Sequence, residues 1–393
     1  MAGIARILKG QSSKVNPPSH HTSFKSNECW LILQMQLWAV VMAVSPKPIY
    51  LSSLQVFRGF AAMSVVAYHA CLFTERQSNW VLLGGYYHFG ELGVDFFFVL
   101  SGFIIAFIHG GELGMPQHAP RYLCRRFFRV YPLLFILTSA KLGLELVAWL
   151  RGGTPPDLSR IISSYLLLPA PDGAMPVITA AWTLMHEALF YALFLIALLL
   201  GRRAGTWILV GWVAMIVLIN AAGASLHGMP RLIFDAHNVE FVFGVIACVL
   251  FRSRDRLRVS PAWLGASALA VLICGAFAYN PSGGMDQPLA VRMLLGAGFA
   301  LLILIAGLWE QGPTAIAWPK WLCWFGDASY SIYLGHSMLL MAGISAGTKF
   351  MPTAEWSGYG IAILSSLFSL AICGLLWLWV ERPLLRWSRR WCQ

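Results

Sequence analysis

An arginine and a histidine stand eleven positions apart in an otherwise apolar stretch, LQVFRGFAAMSVVAYH, which runs from Leu54 to His69. Eleven helical steps of about 100° return almost to the starting angle, so Arg58 and His69 face the same way, about 16 Å apart along the axis. Histidine is suited to take a proton from a hydroxyl near neutral pH, which makes His69 a candidate general base. The alternative is a histidine that is only hydrogen-bonded to a neighbouring helix.

A second candidate is the basic segment RYLCRRFFRVYP, residues 121–132. Arg126 and Arg129 are three positions apart and share a helix face, with Arg125 beside them. Such a face can hold phosphate groups through bidentate hydrogen bonds. An amphipathic interfacial helix that binds anionic lipid head groups has the same pattern, so the residues alone leave both interpretations open.

Two polar residues interrupt the apolar segment GVDFFFVLSGFII, residues 93–105. Asp95 could orient His69 or bind a sugar hydroxyl, or it could be a half-solvated carboxylate at a helix start, where the helix dipole favours it. Ser101 is followed by Gly102, which suits close helix packing at least as well as catalysis.

Two further segments, AWTLMHEALFY and FGDASYSIYLGHS, contain polar residues in apolar surroundings. In the first, Glu187 requires a partner or a cavity, and Trp182 could be interfacial packing. In the second, His336 lies on one face with Ser329 and Tyr333, while Tyr330 pairs with Asp327 at the i,i+3 spacing. Polar stripes of this kind line a cavity or join helices by hydrogen bonds, and the sequence does not separate the two.

The composition indicates that these residues belong to a membrane protein. Of the 393 residues, 58% are hydrophobic and only 11% are charged, whereas soluble proteins carry about twice that share of charge. We therefore predict an all-α polytopic membrane protein, with membrane lipid around it. The net charge of +11 does not indicate nucleic acid, because the basic residues cluster in short connections as topology determinants do.

The apolar pattern predicts a bundle of about ten transmembrane helices. The segments cover residues 54–74, 91–110, 132–150, 179–200, 205–223, 238–251, 262–280, 290–309, 327–347 and 359–381. Lysine and arginine collect on one side of the bundle, most clearly around Arg121–Arg129 and after the last segment. This asymmetry places the C-terminus and the Arg58 end of the first helix in the cytoplasm.

The N-terminal residues 1–49 do not fit the same pattern. Their apolar stretch at 29–44 is slightly short for a span, and it could be an extra helix or an overextended start, with Met35 or Met42 as the initiator. The eight cysteines show no CxxC spacing, so nothing in the sequence suggests a metal site or a disulfide framework.

These segments occur together and in order: Arg58 with His69, FFFVLSGF, RRFFR, WTLMHEALFY, GDASYSIYLGH and ERP. The set resembles the acyltransferase 3 family of bacterial membrane proteins and is similar to its exopolysaccharide-production subgroup. The resemblance covers residues 50–386 as one membrane domain and leaves 387–393 as a cytoplasmic tail.

The resemblance implies O-acylation, usually O-acetylation, of a polysaccharide or lipid-linked sugar, with cytoplasmic acyl-CoA, in most cases acetyl-CoA, as donor and no metal. It implies that His69 is catalytic with Arg58 as its companion, and that Arg126, Arg129 and the adjoining Arg125 bind the donor. Asp95, Ser101, Trp182, Glu187, Tyr330 and His336 are then substrate-binding or supporting residues. The implied location is the bacterial inner membrane, with polysaccharide synthesis machinery as a partner.

Two other classes of function compete with this one. Buried His, Asp and Glu residues could form the proton path of a transporter or flippase, although no pair of Gly/Pro-broken segments recurs in two halves. A non-catalytic component of a polysaccharide export complex is the other alternative. Whether His69 activates the acceptor directly or carries the acyl group transiently is also open.

Overall fold

The computed structural model describes residues 51–254, 260–281, 286–312, 317–350 and 355–392. In these residues the structure is helical, as predicted, and eight helical stretches are long and apolar enough to cross a membrane. The N-terminal extension 1–49, with its apolar stretch at 29–44, lies outside the described residues.

Each of the ten predicted apolar segments falls on a helix. The helices are α1 (Ser52–Ser78), α2 (Gly93–His109), α3 (Ala119–Leu150), α4 (Leu158–Leu166), α5 (Trp182–Leu200), α6 (Arg202–Ala221), α7 (Gly228–Phe234), α8 (Asn238–Arg252), α9 (Pro261–Ala278), α10 (Leu289–Glu310), α11 (Lys320–Asp327), α12 (Ser329–Phe350), α13 (Glu355–Leu376) and α14 (Arg382–Trp391). A 3-10 segment, Leu82–Leu92, precedes α2, and a π turn, Trp377–Glu381, joins α13 to α14.

The C-terminal residues form a helix. Helix α14 extends to Trp391, and Pro383 lies in its first turn, a position that accommodates proline. Cys392 follows the helix and forms a disulfide with Cys124 on α3, with the two Cα atoms 5.7 Å apart. The sequence had suggested no disulfide framework, because the two residues are 268 positions apart and only the tertiary fold brings them together.

Glycine contacts hold the helices that surround the first helix and α2. A Cβ on Gly326 of α11 would lie 1.9 Å from the carbonyl oxygen of Gln55, so α11 touches α1 backbone to backbone. A Cβ on Gly102 would lie 2.0 Å from the carbonyl oxygen of Phe241, and one on Gly244 would lie 1.9 Å from that of Val99. Small residues permit this close approach between membrane helices, so α2 and α8 form a glycine seam.

The glycine seam gives a direct test of the fold. We expect Gly102→Ala to destabilise the protein by about 3 kcal/mol or to prevent folding, because the added methyl meets backbone that cannot move aside. Thermal unfolding of the purified protein in detergent measures the effect. The matched control is Gly143→Ala on α3, where an added Cβ meets no atom within 4 Å. Equal melting temperatures for the two variants would contradict the packing described here.

Candidate functional site

A cavity of about 280 Å³ lies inside the bundle, between α1, α2, α3, α5 and α12. Three arginines line it: Arg58 from α1, and Arg126 and Arg129 from α3. Arg58 of the first candidate pair and the basic segment thus meet in one place, although they are far apart in the sequence. Most of the remaining wall is apolar, from residues such as Leu100, Ile104, Ile105, Ile108 and Leu184.

Arg58 is held by neutral partners. Its Nη1 donates to Oε1 of Gln55 at 3.0 Å, and its Nη2 donates to Oγ of Ser329 at 2.9 Å. Among the described residues, no carboxylate lies within ion-pair distance of Arg58. The guanidinium therefore keeps its net charge beside the cavity, where it favours an anion.

The two arginines of the basic segment have different surroundings. Arg129 forms an ion pair with Glu381 at 2.5 Å and lies over the Tyr330 ring, 4.9 Å from its centroid. Oε2 of Glu381 also accepts hydrogen bonds from the backbone N–H and the hydroxyl of Ser331. Glu381 therefore neutralises the charge of Arg129.

Arg126 lies between two tyrosine rings, 5.6 Å from the centroid of Tyr122 and 5.2 Å from that of Tyr191. In the part of the chain that the structure describes, Arg126 forms no ion pair. Its cation thus remains available to a phosphate group in the cavity. Arg125, the neighbouring residue, is partly exposed and does not line the cavity.

Glu187 supplies a carboxylate to the cavity wall. Its Oε1 accepts hydrogen bonds from the hydroxyl of Ser101, at 3.3 Å, and from the hydroxyl of Tyr191. Ser101, Glu187 and Tyr330 all line the cavity, so three of the predicted supporting residues come together there. The hydroxyl of Tyr330 itself donates to the Val130 carbonyl at 2.7 Å, which ties α12 to α3.

His69 lies on the same helix as Arg58 but outside the cavity wall. Its Nδ1 is 2.9 Å from the Val65 carbonyl oxygen and 3.2 Å from Nε2 of His336. Tyr333 lines the cavity and lies next to the histidine pair, with its ring centroid 6.0 Å from that of His336. The Tyr333 ring also packs edge-on against Phe97. The sequence placed His69 and His336 on different helices, and the structure brings them into contact.

Asp95 and Trp182 belong to a second polar cluster, behind the α2 wall. Asp95 is 1% exposed and forms an ion pair with Arg292 of α10, and a carboxylate oxygen of Glu240 lies 4.0 Å from the same guanidinium. Asp95 is thus neither half-solvated nor in contact with His69, as the sequence had left open. The Trp182 ring packs edge-on against His186 and His237.

Sequence reasoning did not identify two residues that determine this arrangement, Arg292 and Glu240. It also did not identify the role of a third residue, Glu381. Each is an ionisable residue within or at the end of an apolar segment, and such residues require an opposite charge or a cavity. That rule identifies them as candidates. It does not pair them, because each partner lies on another helix.

Comparison with known proteins covers nearly the same residues as the membrane domain expected from the sequence. Residues 51–378 match the family model for an acyltransferase domain. The chain is 29% identical over 321 residues to the exopolysaccharide production protein ExoZ of Rhizobium meliloti, which covers 78% of this chain and 93% of the relative. It is 26% identical over 378 residues to the acyltransferase MdmB of Streptomyces mycarofaciens, covering 87% of this chain and 93% of the relative. No solved structure matches it.

The ion pair between Arg129 and Glu381 predicts unequal effects of two arginine substitutions. We expect Arg129→Gln to destabilise the protein by about 3 kcal/mol, since it leaves the buried Glu381 carboxylate without its counter-charge. Arg126→Gln should leave the melting temperature nearly unchanged, because it breaks no ion pair. Thermal unfolding in detergent measures both. If Arg129→Gln combined with Glu381→Gln is no more stable than Arg129→Gln alone, the uncompensated carboxylate is not the cause.

Proposed function

Because the chain belongs to the acyltransferase 3 family, we propose that it moves an acetyl group from acetyl-CoA to a hydroxyl of an exopolysaccharide or other surface carbohydrate. Acyl transfer by a multi-pass membrane protein is common to the family. The donor, the acetyl group and the acceptor are the proposed parts. The exopolysaccharide production protein among its relatives supports a carbohydrate acceptor.

The observation that carries the proposal is the convergence of three arginines on one internal cavity. Coenzyme A carries phosphates at one end and a thioester at the end of a long, flexible arm. Arg126 and Arg58, whose charges no described carboxylate neutralises, would bind the phosphates. The apolar remainder of the cavity suits the arm and the acyl group. Arg58 thus acts in donor binding. It lies about 16 Å from His69 along the helix axis.

The proposed chemistry takes place at His69. The imidazole removes the proton from the acceptor hydroxyl while the hydroxyl oxygen attacks the carbonyl carbon of the thioester. The tetrahedral intermediate collapses with cleavage of the carbon–sulfur bond, and the departing thiolate takes the proton back from the imidazolium. The acyl group would leave the cavity beside the Tyr333 ring, which lines the cavity and lies next to His336.

The proposed orientation places the arginine end of the cavity in the cytoplasm. The excess of lysine and arginine on the side of Arg121–Arg129 and of α14 supports this orientation. Acetyl-CoA is a cytoplasmic metabolite, so the donor would enter from that side. The acceptor would reach His69 from the opposite side of a bacterial inner membrane, where polysaccharide synthesis machinery could deliver it.

The role of His69 can be tested in the host. In a deletion strain complemented with His69→Ala, we expect the O-acetyl content of surface polysaccharide to fall to the level of the deletion strain, because the base is absent. Proton NMR of the polysaccharide before and after mild alkaline treatment measures this content. Complementation with His227→Ala, an exposed histidine outside the site, should restore it fully.

A different result would support another function. If polymer yield falls in the deletion strain while acetylation per sugar stays constant, the chain acts in export or assembly. Retention of acetylation by the His69→Ala strain would remove His69 from the chemistry.

Donor binding is tested separately, on purified protein. We expect Arg126→Gln to weaken acetyl-CoA binding about 10- to 100-fold, the value of one charged hydrogen bond. Isothermal titration calorimetry measures the dissociation constant. The control is Arg203→Gln, an exposed arginine outside the cavity, which should bind as the wild type does. Equal affinities for all three proteins would favour lipid anchoring as the role of the basic segment.

A further inference from the structure

A second histidine lies against His69. His336 on α12 is fully buried, at 0% exposed, and its Nε2 is 3.2 Å from Nδ1 of His69. The two ring centroids are 4.8 Å apart with an interplanar angle of 64°. At this distance the two nitrogens share one hydrogen, so one ring donates and the other accepts. The backbone carbonyls around the pair show which ring is the donor and which is the acceptor.

The hydrogen on His336 has a definite position. Its Nδ1 lies 2.6 Å from the carbonyl oxygen of Tyr333 and 3.1 Å from that of Ile332. Carbonyl oxygens only accept hydrogen bonds, so Nδ1 of His336 carries a hydrogen. A neutral imidazole has one donor and one acceptor nitrogen, and Nε2 of His336 is therefore the acceptor.

The same reasoning determines which nitrogen of His69 carries the hydrogen. Its Nδ1 faces two acceptors, Nε2 of His336 and the Val65 carbonyl oxygen at 2.9 Å. Nδ1 of His69 consequently carries a hydrogen that it donates to both. The lone pair of the ring is then on Nε2, for which no residue of the described part of the chain is a hydrogen-bond partner.

We propose that His336 is a positioning residue that holds His69 as the Nδ1–H tautomer and so presents its Nε2 to the acceptor hydroxyl. This inference depends on the proposed function of His69. Nε2 takes the hydroxyl proton as the carbon–oxygen bond forms, and Nδ1–H stays donated to His336 throughout. The same Nε2 then returns the proton to sulfur as the carbon–sulfur bond breaks.

The arrangement replaces the carboxylate of the familiar catalytic triads. There an aspartate accepts from the second ring nitrogen and fixes the tautomer of the base. Among the described residues, neither His69 nor His336 is hydrogen-bonded or ion-paired to an aspartate or glutamate. Helix carbonyls and a neutral imidazole orient the base instead, without placing a further charge inside the membrane.

The tautomer can be observed without turnover. In full-length protein labelled with 15N-histidine and reconstituted in lipid, we expect His69 to show a protonated Nδ1 and an unprotonated Nε2. The difference spectrum against His69→Gln assigns its signals. In His336→Leu, which removes one of the two acceptors and leaves only the Val65 carbonyl oxygen, the Nε2–H tautomer should appear beside the Nδ1–H tautomer. His227→Leu is the matched control and should leave the His69 signals unchanged.

The second measurement is the rate of acetyl transfer. It is followed as the release of CoA from acetyl-CoA in the presence of the host polysaccharide. We expect His336→Leu to lower the rate about 100-fold with an unchanged dissociation constant for acetyl-CoA. The side-chain carbonyl of glutamine can accept a hydrogen bond from Nδ1–H, so His336→Gln should be at least tenfold faster than His336→Leu. A purely structural role predicts equal losses for both variants, accompanied by equal drops in melting temperature.

The outcomes separate this inference from the proposed function. A wild-type His69 that carries its hydrogen on Nε2 would overturn the inference, even if His69→Ala abolishes acetylation. Equal rates for His336→Leu and His336→Gln would overturn it as well. If His69→Ala retains acetylation, the proposed function fails whatever tautomer the spectra show.

Discussion

Compensation of buried charge is the constraint on which the bundle depends. A cation or carboxylate inside a membrane domain is costly unless an opposite charge or a set of hydrogen bonds meets it. One pair, Arg129 with Glu381, joins α3 to the π turn and, through Ser331, to α12. The other, Asp95 with Arg292, joins α2 to α10. Arg129 lines the cavity, and Asp95 lies on α2, whose other residues form part of the cavity wall. The two ion pairs therefore join the helices that surround the site.

The sequence predicted the helices well, because apolar length and periodicity are local properties. A polar residue in an apolar segment is also conspicuous, and six of the eleven candidate site residues line the cavity, including Arg58, Arg126 and Glu187. The sequence could not pair them. The partners of Asp95 and Arg129 lie 197 and 252 positions away, and the choice of partner depends on how the helices pack.

The spacing between Arg58 and His69 shows the same limit within one helix. Periodicity correctly placed both on α1, where they face the same way. It did not show that the surrounding helices give them separate environments: Arg58 adjoins the cavity with the arginines of α3, whereas His69 contacts His336 beyond the Tyr333 ring. A shared face indicates a common direction, and tertiary packing decides what each residue meets along it.

The glycine seam between α2 and α8 restricts how the cavity can widen. Where backbone touches backbone, as at Gly102 and Gly244, there is no side chain that could rotate to make room. Helix α2 is therefore a stationary wall. Helix α3 has few buried side chains along its length, so fewer contacts oppose its displacement. Passage of a bulky ligand would therefore require α3 to move together with α14 and the π turn, to which the Cys124–Cys392 disulfide and the Arg129–Glu381 ion pair link it.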